Sequence, residues 1–419
     1  MSAGSKTAAG AETLFPGLDA RSLGFVRDPA GIDGALKQLA SRAVERDLRG
    51  GSLEEELREL ARLGVTAARL PLDAGGGGLG YAQTVDLIVA LARADSSAAQ
   101  SLRSHFLHVE HVVQVPEAPG SAIDAREIAQ GRIFGSATTE VGNVQVGAVD
   151  TRVARGADGR LRLNGRKFYT TGAGYADWVN VFAADDAGTH VIATVPRRAE
   201  GVVVVDDWDG IGQRLTMSGS MHFENVLVEP GRVRPRSTAE GARSARHDAM
   251  AQLTHLATLA GIAIRAFEDA AGWLQGRQRH FSHAAASTPA EDPVVQEIVG
   301  RVSAVAGTAL HAVRSAARQL EAHVNAANEE GCRDAHRTVT QLQVVLPSLV
   351  MDAAQSLFDI GGGSLTVASR GFDRHWRNAR TLASHNPSPQ KARVLGHEAL
   401  NGVPLPDIWY AGTAPTVRA

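Results

Sequence analysis

The stretch Leu161-Arg162-Leu163-Asn164-Gly165-Arg166-Lys167-Phe168-Tyr169-Thr170-Thr171-Gly172 decides how the chain is read. Leu161-Arg162-Leu163 and Phe168-Tyr169-Thr170-Thr171 read as short β runs, with Asn164-Gly165 as a turn between them. Similar runs lie on both sides: Val149 to Arg155, Trp178 to Phe182, His190 to Val195 and Val202 to Val205. Gly156-Ala157-Asp158-Gly159 and Asp185-Asp186-Ala187-Gly188 punctuate them. No helical segment intervenes, so residues 128–238 predict an antiparallel barrel or sandwich.

Outward from this zone the periodicity changes from two to about 3.6 on both flanks. On the N-terminal side, Leu53, Leu57, Leu60 and Leu63 recur at helical spacing, and Asp95-Ser96-Ser97 reads as a helix cap. The glycines from Gly75 to Gly80 read as a flexible turn between helices. On the C-terminal side, Ile298, Val302, Val305, Ala309, Val313, Ala316 and Leu320 trace one apolar stripe, and Val339, Leu342, Leu346 and Leu349 another. Pro347 predicts a kink in the latter. The expected organisation is a flexible N-terminus over 1–20, a helical domain over 21–127, the β domain over 128–238, a helical bundle over 239–403 and a tail over 404–419.

Composition narrows the function. The 419 residues carry 43 Lys and Arg against 45 Asp and Glu, a net charge of -2. That balance argues against binding nucleic acid, which draws on a basic surplus. The single cysteine, Cys332, rules out an intrachain disulfide framework or a cysteine-built metal centre and fits a reducing cytoplasm. Glu12 and Asp19 interrupt the N-terminus, and no uninterrupted apolar run reaches membrane-spanning length, so neither a leader nor a membrane span is expected.

Several chemical motifs can be set aside. Gly75 to Gly78 lack both the βαβ context of a dinucleotide fold and the Gly-Lys-Ser/Thr of a phosphate loop. His105, His108 and His111 share helical spacing, but no matching Glu-x-x-His elements accompany them, so no metal site is expected. His397-Glu398 has Asn401 where a zinc protease needs its second histidine, and no Gly-x-Ser-x-Gly elbow occurs.

In order, the three zones resemble the acyl-CoA dehydrogenase superfamily. Pro71 with Gly77-Gly78-Leu79-Gly80 is similar to its Pro-…-Gly-Gly-x-Gly turn, and Leu163 to Gly172 followed by Ala176-Asp177 to its flavin-flanking β segment. Gly210 to Ser220, Arg277-Gln278-Arg279 with Glu291-Asp292-Pro293, and His375-Trp376-Arg377-Asn378-Ala379-Arg380 resemble the branch of reduced-flavin-dependent monooxygenases. That branch includes dibenzothiophene monooxygenase and the sulfur-acquisition oxidoreductases. The resemblance implies an α+β, mainly α, fold: an N-terminal helical domain, a central antiparallel β-barrel and a C-terminal four-helix bundle.

It also implies a chemistry. In many of the dehydrogenases a glutamate in a Tyr-Glu-Gly-Thr box removes the α-proton. Here the register places Asn386 there, and an amide cannot take that proton. The monooxygenase branch carries a His-Asp-Pro box instead; this chain keeps His385 and Pro387, with Asn386 for the acid and Leu382 for a further histidine. The implied activity is that of a two-component monooxygenase. A separate NAD(P)H-dependent reductase supplies reduced FMN, or FAD, and O2 gives a C4a-hydroperoxyflavin that oxygenates a small molecule, an organosulfur compound first, then an amine or aromatic. His385, then His105, are the candidate proton donors. By the same matching, Ser136, Thr138, Thr171 and Ser218 contact the flavin ring, while Arg277 and Arg279 hold its phosphate. Gly361, Gly362 and Ser364 close a neighbouring subunit's site in a homotetramer, and Trp208 and Asn386 face substrate. The alternative is an FAD-dependent acyl-CoA dehydrogenase whose catalytic carboxylate has moved to another helix.

Overall fold

The computed structural model describes residues 14–140, 148–236 and 242–406. The first thirteen residues of the expected lead-in and the tail from 407 onward therefore lie outside the described residues. The described part of the lead-in is not loose: Phe15 and Leu18 are buried in the main core, and Phe15 meets Phe267 edge-on at 5.6 Å.

Seven helices come first: α1 (Pro29–Ser41), α2 (Ala43–Arg49), α3 (Glu54–Arg62), α4 (Tyr81–Ala94), α5 (Ser96–Ser101), α6 (Arg103–Gln114) and α7 (Ser121–Ala129). Asp95 starts α5 as expected, its carboxylate accepting from Ser97 N at 2.9 Å. The glycine run before α4 is tied rather than flexible. Gly77 N, Gly78 N and Leu79 N donate to the carbonyls of Ala67, Leu70 and Ala68 at 3.1, 2.8 and 2.9 Å.

The central strands are β1 (Phe134–Ala137), β2 (Arg152–Arg155), β3 (Leu161–Lys167), β4 (Trp178–Ala184), β5 (His190–Pro196), β6 (Val202–Val204), β7 (Met221–Val228) and β8 (Val233–Pro235). They form one sheet in the order β6-β7-β3-β2-β4-β5-β8, with β1 beside β4. The sheet is mixed rather than wholly antiparallel, because β1 and β2 both run parallel to β4. Among the described residues its hydrogen-bonded path is open, from β6 to β8. Alternating Val179, Val181 and Ala183 pack with Phe223 and Val226 in its own core.

Two local expectations fail for stated reasons. Asn164-Gly165 is not a turn: β3 continues along β7, and the register shifts between Leu163 and Gly165. Asn225 N donates to Asn164 Oδ1 at 2.8 Å, and a Cβ on Gly165 would lie 2.4 Å from the Thr151 hydroxyl. Phe168 to Thr171 is not a strand either. Tyr169 has φ 55, which takes the chain out of the pleat.

The C-terminal region is built on three 33-residue helices, α8 (Ala242–Leu274), α9 (Pro293–Asn325) and α10 (Glu329–Gly361), followed by α11 (Asp373–Ala383) and α12 (Ser388–Asn401). The expected four-helix bundle is thus three long helices, with α4 against α8 and α9, and α11 and α12 on α10. Asp292 and Asn328 cap α9 and α10 through Val294 N and Gly331 N. The α10 helix runs on through Pro347. From Glu329 to Ser364 it is long and apolar enough to cross a membrane by length and composition, but one face is buried against α8 and α9.

Candidate functional site

Three segments converge at the edge of the sheet. Phe168 N donates to Thr139 O at 2.9 Å, Thr170 N and Oγ1 to Gly219 O at 3.2 and 2.9 Å, and Gly172 N to Thr216 O at 2.8 Å. These bonds bind 136–140, 167–172 and 216–219 into one unit. The Ser136 and Thr138 hydroxyls lie 3.0 Å apart, and the Thr171 hydroxyl meets that of Ser218 at 2.8 Å, which meets Thr216 at 2.6 Å. The structure therefore groups the four hydroxyls singled out in the sequence as two adjacent pairs. None carries charge, the chemistry suited to the polar edge of a flavin ring.

Lys167 ties this unit together from beneath, and sequence reasoning missed it. Its buried ammonium donates to Glu140 Oε1 at 2.5 Å and to Thr138 O at 3.2 Å. Glu140 also accepts from Asp150 N, Thr151 N and the Thr151 hydroxyl at 2.7, 3.0 and 2.6 Å. Three residues near the hydroxyls, Tyr169, Gln213 and Met217, hold φ between 48 and 55. Non-glycine residues take that conformation only where their surroundings impose it, and such strain gathers at functional sites.

The loop from Trp208 to Gly219 is locked onto α11. Gln213 N donates to Asn378 Oδ1 at 2.7 Å, and both amides reach Ser96 Oγ, at 3.2 and 3.1 Å. Arg377 donates to Ile211 O at 3.0 Å, and its ion pair with Asp47 anchors the helix. A Cβ on Gly212 would lie 2.2 Å from Arg377 O, so only glycine lets the loop approach this closely. Trp208 donates to Gln213 O at 2.9 Å and meets Tyr169 edge-on at 6.2 Å.

Helix α6 abuts the same unit. Gly172 has φ +76, and a Cβ there would lie 1.9 Å from Ser101 O, so the turn after Thr171 rests on the end of α5, just before α6. Arg103, two residues on, is half-buried; its NH2 group reaches Ala251 O at 3.4 Å, and its Nε has no partner among the described residues. Burial pulls its pKa down to about 10, with Asp248 opposing. Nearby, the ring of His255 on α8 lies tilted against that of His385, with centroids 4.3 Å apart. His255 is buried with neither ring nitrogen partnered among the described residues, an arrangement costing about 1–3 kcal/mol per group. His385 is exposed as a residue, while desolvation of its ring, and then the charge of Arg103, lower its pKa from 6.5. Its imidazole is therefore neutral near pH 7. Asn386 donates to Gln252 Oε1 at 2.7 Å.

His105 does not join this group. Its Nδ1 accepts from Phe134 N at 3.1 Å and its Nε2 bonds Thr66 O at 2.9 Å, with the ring wholly buried. Both nitrogens are committed to backbone, so it cannot serve as a proton donor to a ligand. Burial lowers its pKa to about 4. His108 is likewise engaged, bonding Asp124 at 3.0 Å.

A second group forms where α10 ends. Arg277 donates to Ser364 Oγ at 3.2 Å and lies 4.0 Å over the Trp273 ring. Gly361 and Gly362 immediately precede this contact, and Arg370 donates to Ser364 O. Burial, then the charges of exposed Arg279 and Arg370, lowers the Arg277 pKa, which marks an anion-seeking patch. Arg370 was not legible in the sequence.

The residues present fit FMN: neutral hydroxyls for the ring and arginines for the phosphate. Comparison with known proteins agrees. Residues 33–115, 136–226 and 253–388 match the N-terminal, middle and C-terminal domain families of acyl-CoA dehydrogenases. A probable FMNH2-dependent monooxygenase, SfnC, of Pseudomonas putida is 32% identical, over 91% of this chain and 95% of its own. A dibenzothiophene monooxygenase of Rhodococcus erythropolis is 28% identical, over 90% and 95%. The crystal structure of FMN-bound TdsC from Paenibacillus sp. A11-2 superposes with a TM-score of 0.82 at 27% identity, covering 90% of this chain and 98% of that one. The chain thus belongs to the acyl-CoA dehydrogenase superfamily, in its FMNH2-dependent monooxygenase branch, and is a flavin-dependent oxidoreductase.

Proposed function

We propose that the protein inserts one oxygen atom of O2 into a small organosulfur compound, at sulfur, in the cytoplasm. A separate NAD(P)H-dependent reductase supplies its reduced FMN. The observation that carries this reading is the grouping of Ser136, Thr138, Thr171 and Ser218 on cross-bonded segments, set against the end of α5 through Ser101 and Gly172. Sulfur is favoured over nitrogen or carbon because full-length relatives include a dibenzothiophene oxygenase. The dehydrogenase alternative has no support at its key position: Asn386 spends its amide on Gln252.

Bound FMN supplies the two reducing electrons and the oxygen chemistry. The chain's own residues do the rest. The hydroxyls of Ser136, Thr138, Thr171 and Ser218 bond the ring edge and fix its orientation. Trp208 walls the substrate side and keeps water out. His385, held neutral, would present its ring N–H to negative charge on oxygen beside a bound flavin. Asn386 positions Gln252 and the start of α12.

Arg277, Arg279, Gly361, Gly362 and Ser364 act on a neighbouring subunit's FMN in a homotetramer. Replacing Arg277 with alanine is expected to weaken FMN binding about tenfold or more, the worth of a charge-assisted bond. Equilibrium dialysis against FMN checks this, and unchanged affinity in the intact oligomer would remove Arg277 from the site.

Two experiments test the reading. Chemically reduced FMN, labelled O2 and a panel of sulfides and sulfinates are expected to give product carrying one labelled oxygen. Bleaching of bound flavin by an acyl-CoA without O2, and no label in any sulfur compound, would install the dehydrogenase instead. The pH profile is the second. A histidine whose folded pKa is depressed stays neutral until well into acid, so no ionisation of His385 is expected between pH 5 and 8. A limb near pH 6.5 that disappears in H385Q would contradict a neutral donor.

A further inference from the structure

The short helix α5 bears on both sides of the Thr171–Ser218 pair. Every residue of α5 is buried, and its start is fixed by Asp95, whose carboxylate accepts from Ser97 N and from Arg46, each at 2.9 Å. At its far end the Ser101 carbonyl leaves no room for a Cβ on Gly172, so Thr171 stands beside a fixed backbone. At its near end the Ser96 hydroxyl accepts from the side-chain amides of Gln213 and Asn378 at 3.2 and 3.1 Å. Asn378 Oδ1 in turn accepts from Gln213 N at 2.7 Å. From Gln213 the bonds run on to the pair. Its carbonyl accepts from the Thr216 hydroxyl at 2.8 Å, Thr216 meets Ser218 at 2.6 Å, and Ser218 meets Thr171 at 2.8 Å. Gln213 holds φ 52, a left-handed conformation that a residue with a Cβ keeps only where its surroundings impose it. Its side-chain oxygen has no partner among the described residues, so the bond from its backbone N–H to Asn378 is the firm anchor.

We propose, on the reading that this pair meets the flavin, that Asn378 is a positioning residue for FMN: acting through Gln213, it sets where Ser218 meets Thr171, while α5 fixes the separation of the two sides. The position requires an acceptor aimed at Gln213 N and a donor aimed at Ser96. An amide supplies both without charge. That suits a side chain on a residue 7% exposed, lining the same small cavity as Asp47 and Asp95, where a further carboxylate would be costly. The route from Asn378 to the hydroxyls passes through the Gln213 backbone. Without its anchor Gln213 relaxes toward negative φ, its carbonyl swings away from the Thr216 hydroxyl, and Ser218 loses its register with Thr171. The site keeps all its hydroxyls but no longer presents them at the spacing the ring edge needs.

The test measures FMN affinity by flavin fluorescence, the visible spectrum of bound oxidised FMN, and amide exchange at Gly172, whose N–H bonds Thr216 O at 2.8 Å. N378A is expected to bind FMN about tenfold more weakly, the upper end of what one hydrogen bond contributes, with an altered spectrum and faster exchange at Gly172. N378D keeps the acceptor for Gln213 N and should recover most of the affinity and the spectrum. N378A/Q213G should recover part, because glycine takes φ 52 without a bond to hold it. A residue that merely packed α11 would show neither rescue. Should N378A not fold, S96A serves: it removes the acceptor shared by both amides and is expected to weaken FMN severalfold with the same spectral change. Wild-type affinity and spectrum in folded N378A, or folded N378D no better than N378A, overturns the inference. Failure of the flavin reading looks different: the wild-type protein would bind no FMN, while exchange at Gly172 would still rise in N378A.

Discussion

Replacing His385 with phenylalanine is expected to lower the rate of oxygen transfer about 10²–10³-fold, the usual loss when one preorganised donor is removed from a site of developing negative charge. Its setting explains why the effect should be kinetic. His385 lies just past the cap of α11, and its ring packs tilted against His255, with its pKa lowered by burial and then by Arg103. It needs no ionisation to work, only a fixed N–H. Phenylalanine keeps a ring in this contact and removes the donor. FMN affinity should therefore stay within about twofold, because the ring-binding hydroxyls lie on the sheet side, and consumption of reduced FMN should continue while its product shifts to hydrogen peroxide. H385Q retains an N–H and should recover part of the coupled rate. Measuring product against peroxide per FMN oxidised separates the cases. A variant that loses FMN binding and rate together would make His385 a structural residue. Coupling left at the original level in H385F would assign the donor elsewhere, with His255 the nearest group.

Much of this site was legible in the sequence, and what was not has physical reasons. Ser136, Thr138, Thr171 and Ser218 were singled out because they stand in motifs with fixed order, and the structure brings them together as two hydrogen-bonded pairs. His105 misled because a histidine on a half-apolar helix reads alike whether its nitrogens face a ligand or the backbone; only the partners at Thr66 and Phe134 decide. Asn164-Gly165 misled because the same dipeptide serves a tight turn and a strand irregularity, and the Thr151 side chain against Gly165 was not visible in one dimension. Arg103 and His255 belong to no motif. They sit 152 positions apart on two helices, and among the described residues the Arg103 Nε and both His255 ring nitrogens lack a partner, which no local pattern can show. Lys167 lay inside the most informative stretch, between its two expected β runs, and nothing local marked it as buried. Its burial follows from the curl of the chain at Tyr169, itself set by tertiary bonds to 139 and 219.

Lys167 also sets the other large effect. Substitution by methionine is expected to destabilise the protein by about 3–5 kcal/mol, the cost of leaving one member of a buried ion pair alone. The orphan would be Glu140, whose side chain is 8% exposed. The pair is a device of position more than of net stability. Burial raises the Glu140 pKa but is outweighed by the Asp150 N–H, Lys167 and Thr151, so the carboxylate ends below its ordinary range. Burial lowers the Lys167 pKa, and Glu140 does not fully offset it. The carboxylate is thus favoured in the fold while the ammonium bears part of the cost. In K167M the remaining partners of Glu140 stay, but its charge goes unanswered and Thr138 O loses a donor. K167M/E140Q should recover most of the stability, since glutamine can still accept from Asp150 and Thr151 without a charge. FMN affinity should not recover with it, because the bond that holds Thr138 in place is still missing. The sign with pH follows from the depressed carboxylate. Glu140's contribution is present above its unfolded value near 4.5 and lost as pH falls through the lower folded one, so the gap between wild type and K167M should close in acid. Thermal and urea unfolding of the three proteins, with amide exchange at Phe168 and Thr170 as the local readout, tests this. Unchanged exchange at those two amides in a destabilised K167M would mean that the pair stabilises the sheet without positioning the flavin-side hydroxyls.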